Sequence, residues 1–497
     1  VTVDFTQYNP PGVYVRGNAE GIVTPVGVPT TTVTVVGQAR GYQVSTESVT
    51  LTTTAKPLLN KGVLPDSDTS PDLVVTKADG TVLVENTDYA LVRGATASES
   101  TTIARVGAST AVTEGEVVTV SYSYADETYY SPQRFDEYYS VEQIYGPAML
   151  SSLPSDPDGS QVASPVSLAA RIAFENGAGT VVCLAVEPTT TEINLRTRFQ
   201  QAYTKLQESY STTLLVPVFA APDTDGTAYT SGFAGLVSDA RTHCETQAAS
   251  GFGRIAFVGA DTLYDDSGTS FDEVAAAVGS KRVMLAFPNR MHLYNNNLGQ
   301  TTEVGGQYLA AAYAGRLAAS DLNRGLTQQQ IYGFSGIPTT VKSEMTRTFK
   351  NTLSAAGVAV TEVGRSNRLV VRHGISTDPT SLLTREISVT RSQDTLYQLV
   401  SEGIIAADLI GDPIDDEMTI RVKGILTGIL DAAETDLVLR EWLDLQVRQQ
   451  SLPSGDPTAI EAQFTYRPFL PLNYITVSFS MDLSTSEILI EEQDAAA

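Results

Sequence analysis

The sequence predicts a multi-domain α/β protein. Its expected parts are a mostly parallel α/β core, an inserted all-β domain, and a C-terminal α+β domain ending in an extended strand arm. Three observations carry that expectation. Between residues 164 and 384, short apolar runs alternate with helical stretches, the pattern of a sheet covered on both faces. Between 42 and 130 the composition shifts to Thr, Ser and Val in short alternating runs. Near the end, Ile475, Val477, Phe479, Met481 and Leu483 alternate with Thr476, Ser478, Ser480 and Asp482, an unbroken period of two. At about 100–200 residues per domain, 497 residues and 53.0 kDa suit several such units.

Residues 1–30 are rich in Pro, Gly and β-branched residues and show no helical period, so they read as an extended N-terminal arm with Val13-Tyr14-Val15 as a short strand. Residues 31–41 and 131–163 form the entry to the core, with a strand at 31–36. The inserted domain, 42–130, carries a hairpin signal at Asp79-Gly80, because that dipeptide supplies the positive φ a tight turn requires. In its strand 116–124, Val118, Val120, Tyr122 and Tyr124 share one face.

The core domain, 164–384, opens with Ser164-Pro165, a cap followed by proline at the first helical position. Strands are expected at 180–186, 214–219, 254–260 and 282–287. Helices are expected near 192–210, 231–249, 271–278 and 307–319, and a looser α/β passage with a strand at 369–372 follows. The C-terminal domain, 385–483, should hold a helix at 394–403 and a long one within 417–450. Residues 484–497 form a C-terminal arm with Ile488, Leu489 and Ile490 at its centre.

Charge and chemistry exclude several functions. With 32 basic and 57 acidic side chains the net charge is −25, which disfavours nucleic acid and anionic membranes as partners. No run approaches the ~18 apolar residues of a membrane span. The start, Val1-Thr2-Val3-Asp4-Phe5, lacks the basic and apolar regions of a signal peptide, so synthesis in a cytoplasm is expected. Cys183 and Cys244 cannot build a disulfide framework. The three histidines, His243, His292 and His373, match no metalloprotease spacing. His243 and Cys244 are helix neighbours and are expected to point apart, one inward and one outward. No phosphate-cradling loop or nucleophile elbow occurs. The acidic clusters Asp66/Asp68/Asp72, Asp156/Asp158 and Asp261/Asp265/Asp266 lack calcium-loop spacing and read as solvated loops. The expectation is therefore no enzyme, no catalytic residue, no metal and no cofactor; the alternative is a hydrolase or transferase on the 164–376 sheet.

Both ends remain informative. A strand with one apolar face and no evident local partner either packs into its own domain's sheet or pairs with another chain. The 14 residues after Leu483 would reach about 45 Å at about 3.3 Å per residue, enough to meet a neighbour.

The order of motifs resembles contractile tail sheath proteins of bacteriophages and phage tail-like particles. Pro11-Gly12-Val13-Tyr14-Val15 and Val33-Thr34-Val35-Val36-Gly37 resemble their opening. Ala78-Asp79-Gly80-Thr81-Val82, Thr87-Asp88-Tyr89 and Arg134-Phe135-Asp136 are similar to the β module many of them carry. Residues 141–148, 164–170, 415–422, 464–468 and 474–483 continue the pattern. The resemblance implies a structural subunit that polymerises as stacked hexameric rings around a tail tube and contracts to drive the tube through a cell envelope. It implies arm strands shared between subunits, at Val13, Tyr14, Val15, Ile475, Val477, Phe479, Met481, Leu483, Ile488, Leu489 and Ile490. It places the C-terminal domain toward the tube, with Asp412, Asp415, Asp416, Glu417, Arg421 and Lys423 as candidate tube-facing charges, and the insert on the periphery. The implied partners are further copies of the chain, a tail tube protein, and baseplate and tail terminator proteins, with no direct nucleic acid and no membrane insertion. The implied location is a virion tail or phage tail-like particle.

Overall fold

The computed structural model describes residues 31–473, apart from 40–42, 64–72, 95–98, 126–128, 152–160, 187–191, 208, 210–211, 222–225, 267–268, 365–366, 416 and 452–455. The first described strand lies in the middle of the largest sheet. β1 (Val33–Gln38) turns Val33 and Val35 to one face and Val36 to the other, and all three are buried.

Six strands follow before the chain returns. They are β2 (Gln43–Leu51), β3 (Lys56–Lys61), β4 (Val74–Lys77), β5 (Tyr89–Val92), β6 (Ser100–Arg105) and β7 (Glu116–Tyr124). They make two three-stranded sheets, β2-β7-β4 and β3-β6-β5, antiparallel throughout. Leu51, Val75, Tyr89, Ile103, Val118, Val120 and Tyr122 fill a cluster of their own. The expected turn is present: Gly80 has φ +86°, Lys77 N donates to Thr81 O at 2.8 Å, and Thr81 N donates to Asp79 Oδ1 at 2.9 Å. Its second arm is shorter than expected, a single bridge between Thr76 and Val82.

β8 (Gln133–Phe135) and α1 (Tyr138–Tyr145) lead back to the large sheet. Then come α2 (Pro165–Glu175), β9 (Val181–Val186), α3 (Glu192–Lys205), β10 (Leu214–Val218), α4 (Thr227–Ala249), β11 (Ile255–Gly259), α5 (Phe271–Val278) and β12 (Val283–Phe287). A hairpin of β13 (Arg290–Asn295) and β14 (Gln300–Gly305) precedes α6 (Gly306–Ala318), α7 (Thr339–Glu344), α8 (Arg347–Ala355), β15 (Val358–Val363) and β16 (Leu369–Val371). The sheet order is β16-β15-β12-β11-β10-β1-β9-β8. The six inner strands are parallel and the two outer ones antiparallel. One apolar cluster lies on the face covered by α2 and α6, another on the face covered by α3, α4, α5 and α8. Burial on both faces is why β9 to β12 read as unbroken apolar runs. Ser164 caps α2 as expected, its hydroxyl accepting from Ser167 N at 3.4 Å.

Three expectations need correction. Residues 31–41 were expected to lead into the core; β1 is its centre, between β9 and β10, because the inserted strands separate it in sequence from both neighbours. The parallel sheet holds six strands rather than four, with β15 also recruited. The long helix within 417–450 ends early. α9 (Leu382–Arg385) and α10 (Ile387–Ala406) are followed by α11 (Met418–Thr435), and then by β17 (Glu441–Gln449) and β18 (Ile460–Arg467). Leu437, at φ +58°, breaks the helix, since a left-handed residue cannot continue it.

His243 and Cys244 do not point apart across α4: both are buried. His243 stacks on Tyr203 and lies 2.5 Å through Nε2 from Nη1 of the buried Arg254, which makes that nitrogen the unprotonated acceptor. Burial, reinforced by the Arg254 charge, holds the imidazole down to about 3. A histidine kept neutral in the fold but free to protonate near 6.5 when unfolded binds more protons in the unfolded state. Its stabilisation is complete above about pH 6.5 and is lost as pH falls toward 3. His243→Gln is therefore expected to remove about 2 kcal/mol of the difference in stability between pH 7 and pH 5, measured by urea unfolding at both values.

Candidate assembly surface

The C-terminal unit is small and leaves much backbone unpaired. α10 and α11 pack together, and their inner faces supply Leu396, Leu399, Val400, Leu426, Leu430 and Ala433. Leu445, Phe464 and Tyr466 of the ribbon of β17 and β18 close this core, with Val438 and Leu439 from the approach to β17. Register runs from Glu441↔Arg467 to Gln449↔Ile460. It shifts between Leu443 and Gln446, where Asp444 sits at φ +57° in a β-bulge. The strand carries a period-two pattern in spite of the bulge: Leu443, Leu445 and Val447 are buried or half-buried and alternate with exposed Asp444, Gln446 and Arg448. Ion pairs join directly opposed residues at both ends of the ribbon, Glu441–Arg467 at 2.5 Å and Arg448–Glu461 at 2.8 Å. On an exposed surface such pairs contribute about 0–1 kcal/mol each and oppose a slip in register.

Among the described residues each ribbon strand has one ladder partner, the other. Both outer edges thus present a row of backbone N–H and C=O groups to any further strand. A two-stranded ribbon is marginal by itself; here the helix pair beneath it supplies the missing burial.

At the end of the helix pair where α10 runs into α11, Asp412, Asp415, Glu417, Arg421 and Lys423 are all exposed. Asp415 and Arg421 partner each other at 3.0 Å. Partial desolvation alone would raise the Asp415 carboxyl; the Arg421 hydrogen bond and charge outweigh it and hold it below its ordinary value. Asp415 also accepts from Glu417 N at 3.1 Å, so it orders the start of α11. Ile405, Ile410 and Ile420 are exposed at the same end. Asp416 lies outside the described residues, as do Val13, Tyr14, Val15, Ile475, Val477, Phe479, Met481, Leu483, Ile488, Leu489 and Ile490. No group of three or more His, Cys, Asp or Glu side chains among the described residues is arranged to hold a metal ion. No helix among them is long and apolar enough to cross a membrane.

The chain is 30% identical over 443 residues to the tail sheath protein of Mycobacterium phage Bxz1, across 87% of this chain and 71% of the phage protein. It belongs to the tail sheath protein family. No family model matches it. Among solved structures, the anti-feeding prophage helical sheath in its contracted state superposes with a TM-score of 0.53 at 14% identity, over 96% of this chain and 100% of that one. A chain of the anti-feeding prophage baseplate superposes at 0.54, also at 14% identity and the same coverage. At that identity the likeness is one of fold: a large mixed sheet with several small ones. In this tail sheath protein the ribbon at 441–467 went unread from sequence. Its local signals were Leu443-Asp444-Leu445-Gln446-Val447-Arg448 and Phe464-Thr465-Tyr466, each apolar on alternate positions.

Proposed function

We propose that the chain is a structural subunit of a contractile tail sheath, polymerising as stacked hexameric rings around a tail tube and contracting to drive that tube through a cell envelope. The observation that carries this reading is the ribbon, whose two outer edges have no ladder partner among the described residues, in a chain whose ends hold period-two and apolar segments. Residues 13–15 and 475–483 have the β-branched or alternating sequence that would suit adding to such edges in a neighbouring subunit. Backbone pairing gives strength without side-chain specificity, and a head-to-tail contact that does not close builds a helical array. The two packings of extended and contracted sheath then differ by a modest free energy per subunit, summed over a long assembly.

In this scheme the end of the helix pair bearing Asp412, Asp415, Glu417, Arg421 and Lys423 faces the tube protein. The two small sheets of 43–124 lie at the periphery, and baseplate and terminator proteins meet the sheath at its ends. The Phage Bxz1 relative is named a tail sheath protein, and that kinship supports a virion or tail-like particle as the location. Deleting residues 484–497 is expected to leave a folded protein that no longer assembles, scored by negative-stain microscopy beside circular dichroism. Normal tubes from the truncated chain would overturn the role given to that segment.

A further inference from the structure

Both ends of the described chain converge on one helix. Glu386 is the N-cap of α10 and is 2% exposed. Its Oε1 accepts from Asn473 Nδ2 at 2.9 Å, His373 Nε2 at 3.1 Å and Arg385 Nε at 3.2 Å. Asn473 is the last described residue before the C-terminal segment. Five residues further along, Arg391 is 6% exposed. Its Nη2 donates to Thr31 Oγ1 at 3.1 Å and its Nη1 to Ser320 O at 3.1 Å. Thr31 is the first described residue after the N-terminal segment. The next residue, Thr32, is tied to the foot of β10 through Thr213, N to Oγ1, at 2.8 Å. Positions 386 and 391 are separated by about 7.5 Å along a helix axis.

We infer that the first two turns of α10 are a single anchoring hub that fixes the points where both terminal segments leave the molecule. The chemistry of the seam supports this. Where α10 meets the large sheet most of its buried residues are polar, Ser388, Thr390, Arg391, Ser392 and Thr395, with Ile387 and Val389 between them. Asp394 pairs with Arg282, Lys281 donates to Gln393 Oε1 at 2.8 Å, and Ser392 donates to Leu322 O at 3.3 Å. Apolar seams slide at little cost; a seam of directional, buried hydrogen bonds has few alternative registers. Through Arg391 and Glu386 this seam reaches Thr31 at one root and Asn473 at the other.

The hub deepens the assembly reading, in which the terminal segments are the subunit's arms, and its test does not depend on assembly. Spin labels go on Leu472→Cys and on Thr30→Cys, each paired with a label on Ile193→Cys, an exposed core position; Cys183 and Cys244 are buried and stay unlabelled. Pulsed electron paramagnetic resonance on the unassembled full-length chain reads both distance distributions. Arg391→Met touches the N-terminal root directly, and Glu386→Gln, nearly isosteric, touches the C-terminal one. The hub predicts that each variant at least doubles the width of both distributions. A variant that broadens only its own root's distribution, leaving the other at its wild-type width, overturns it.

Discussion

Asp394→Ala is expected to cost about 3–5 kcal/mol of folding stability, read by urea unfolding. Asp394 sits on the second turn of α10 and meets Arg282 in two parallel bonds, Nη1 to Oδ2 at 2.6 Å and Nη2 to Oδ1 at 2.7 Å. The side chains are 14% and 11% exposed, so neither charge is well hydrated. Burial alone would lower the Arg282 guanidinium; the Asp394 charge and its hydrogen bonds outweigh that and raise it. Removing the carboxylate strands a buried cation whose remaining acceptor is the Arg254 carbonyl, at 3.1 Å. The carboxylate also rests against bare backbone: a Cβ at Gly253 would stand 2.4 Å from Asp394 Cγ. A well-packed apolar pair of similar volume often replaces a buried ion pair at little cost. The double variant Arg282→Met/Asp394→Leu should accordingly recover most of the loss. A single variant costing under about 1 kcal/mol would show that the charge at 282 regains water, contrary to the geometry.

That ion pair also marks where sequence reading stops. β9 to β12 were legible because a strand buried on both faces must be apolar at every position, and Val181–Val186 and Val283–Phe287 are. α5 was legible at its start, where Ser270 and Glu273 make a capping box. β1 has the same composition, yet its central place depends on partners 140 or more residues away, which no local pattern encodes. β17 was read as part of a helix although Leu443, Leu445 and Val447 alternate with Asp444, Gln446 and Arg448, because that short run follows closely on the helical stretch of 418–435. Of the candidate assembly residues, Asp412, Asp415, Glu417, Arg421 and Lys423 are exposed, and Asp416 and the residues read as arm strands lie outside the described residues. The hub was illegible for a different reason. Thr31, Glu386, Arg391 and Asn473 are ordinary polar residues in sequence and acquire a role through hydrogen bonds between residues far apart in the chain.

Phe464→Ala should separate the ribbon from the rest of the molecule. Phe464 is 1% exposed and packs in the cluster with Leu396, Leu426, Leu430 and Leu445. Truncating a buried phenylalanine costs about 3–5 kcal/mol through lost transfer energy and the cavity left behind. Here the loss falls on a unit whose apolar cluster is distinct from the two that flank the large sheet. A two-stranded ribbon without its support does not persist in water, so it should unfold before the core does. The lone tryptophan, Trp442, reports the event directly. It lies on β17, opposite Tyr466, and its Nε1 donates to Asp431 Oδ1 at 3.1 Å. In urea, the Trp442 fluorescence transition is expected to move well below the far-ultraviolet circular dichroism transition that follows the large sheet. With the ribbon melted, both open edges disappear, and tubes should fail to form although most of the chain stays folded. Coincident transitions would show that ribbon and core unfold as one cooperative body. Tubes of normal yield from a chain whose ribbon is melted would remove the ribbon edges from the assembly.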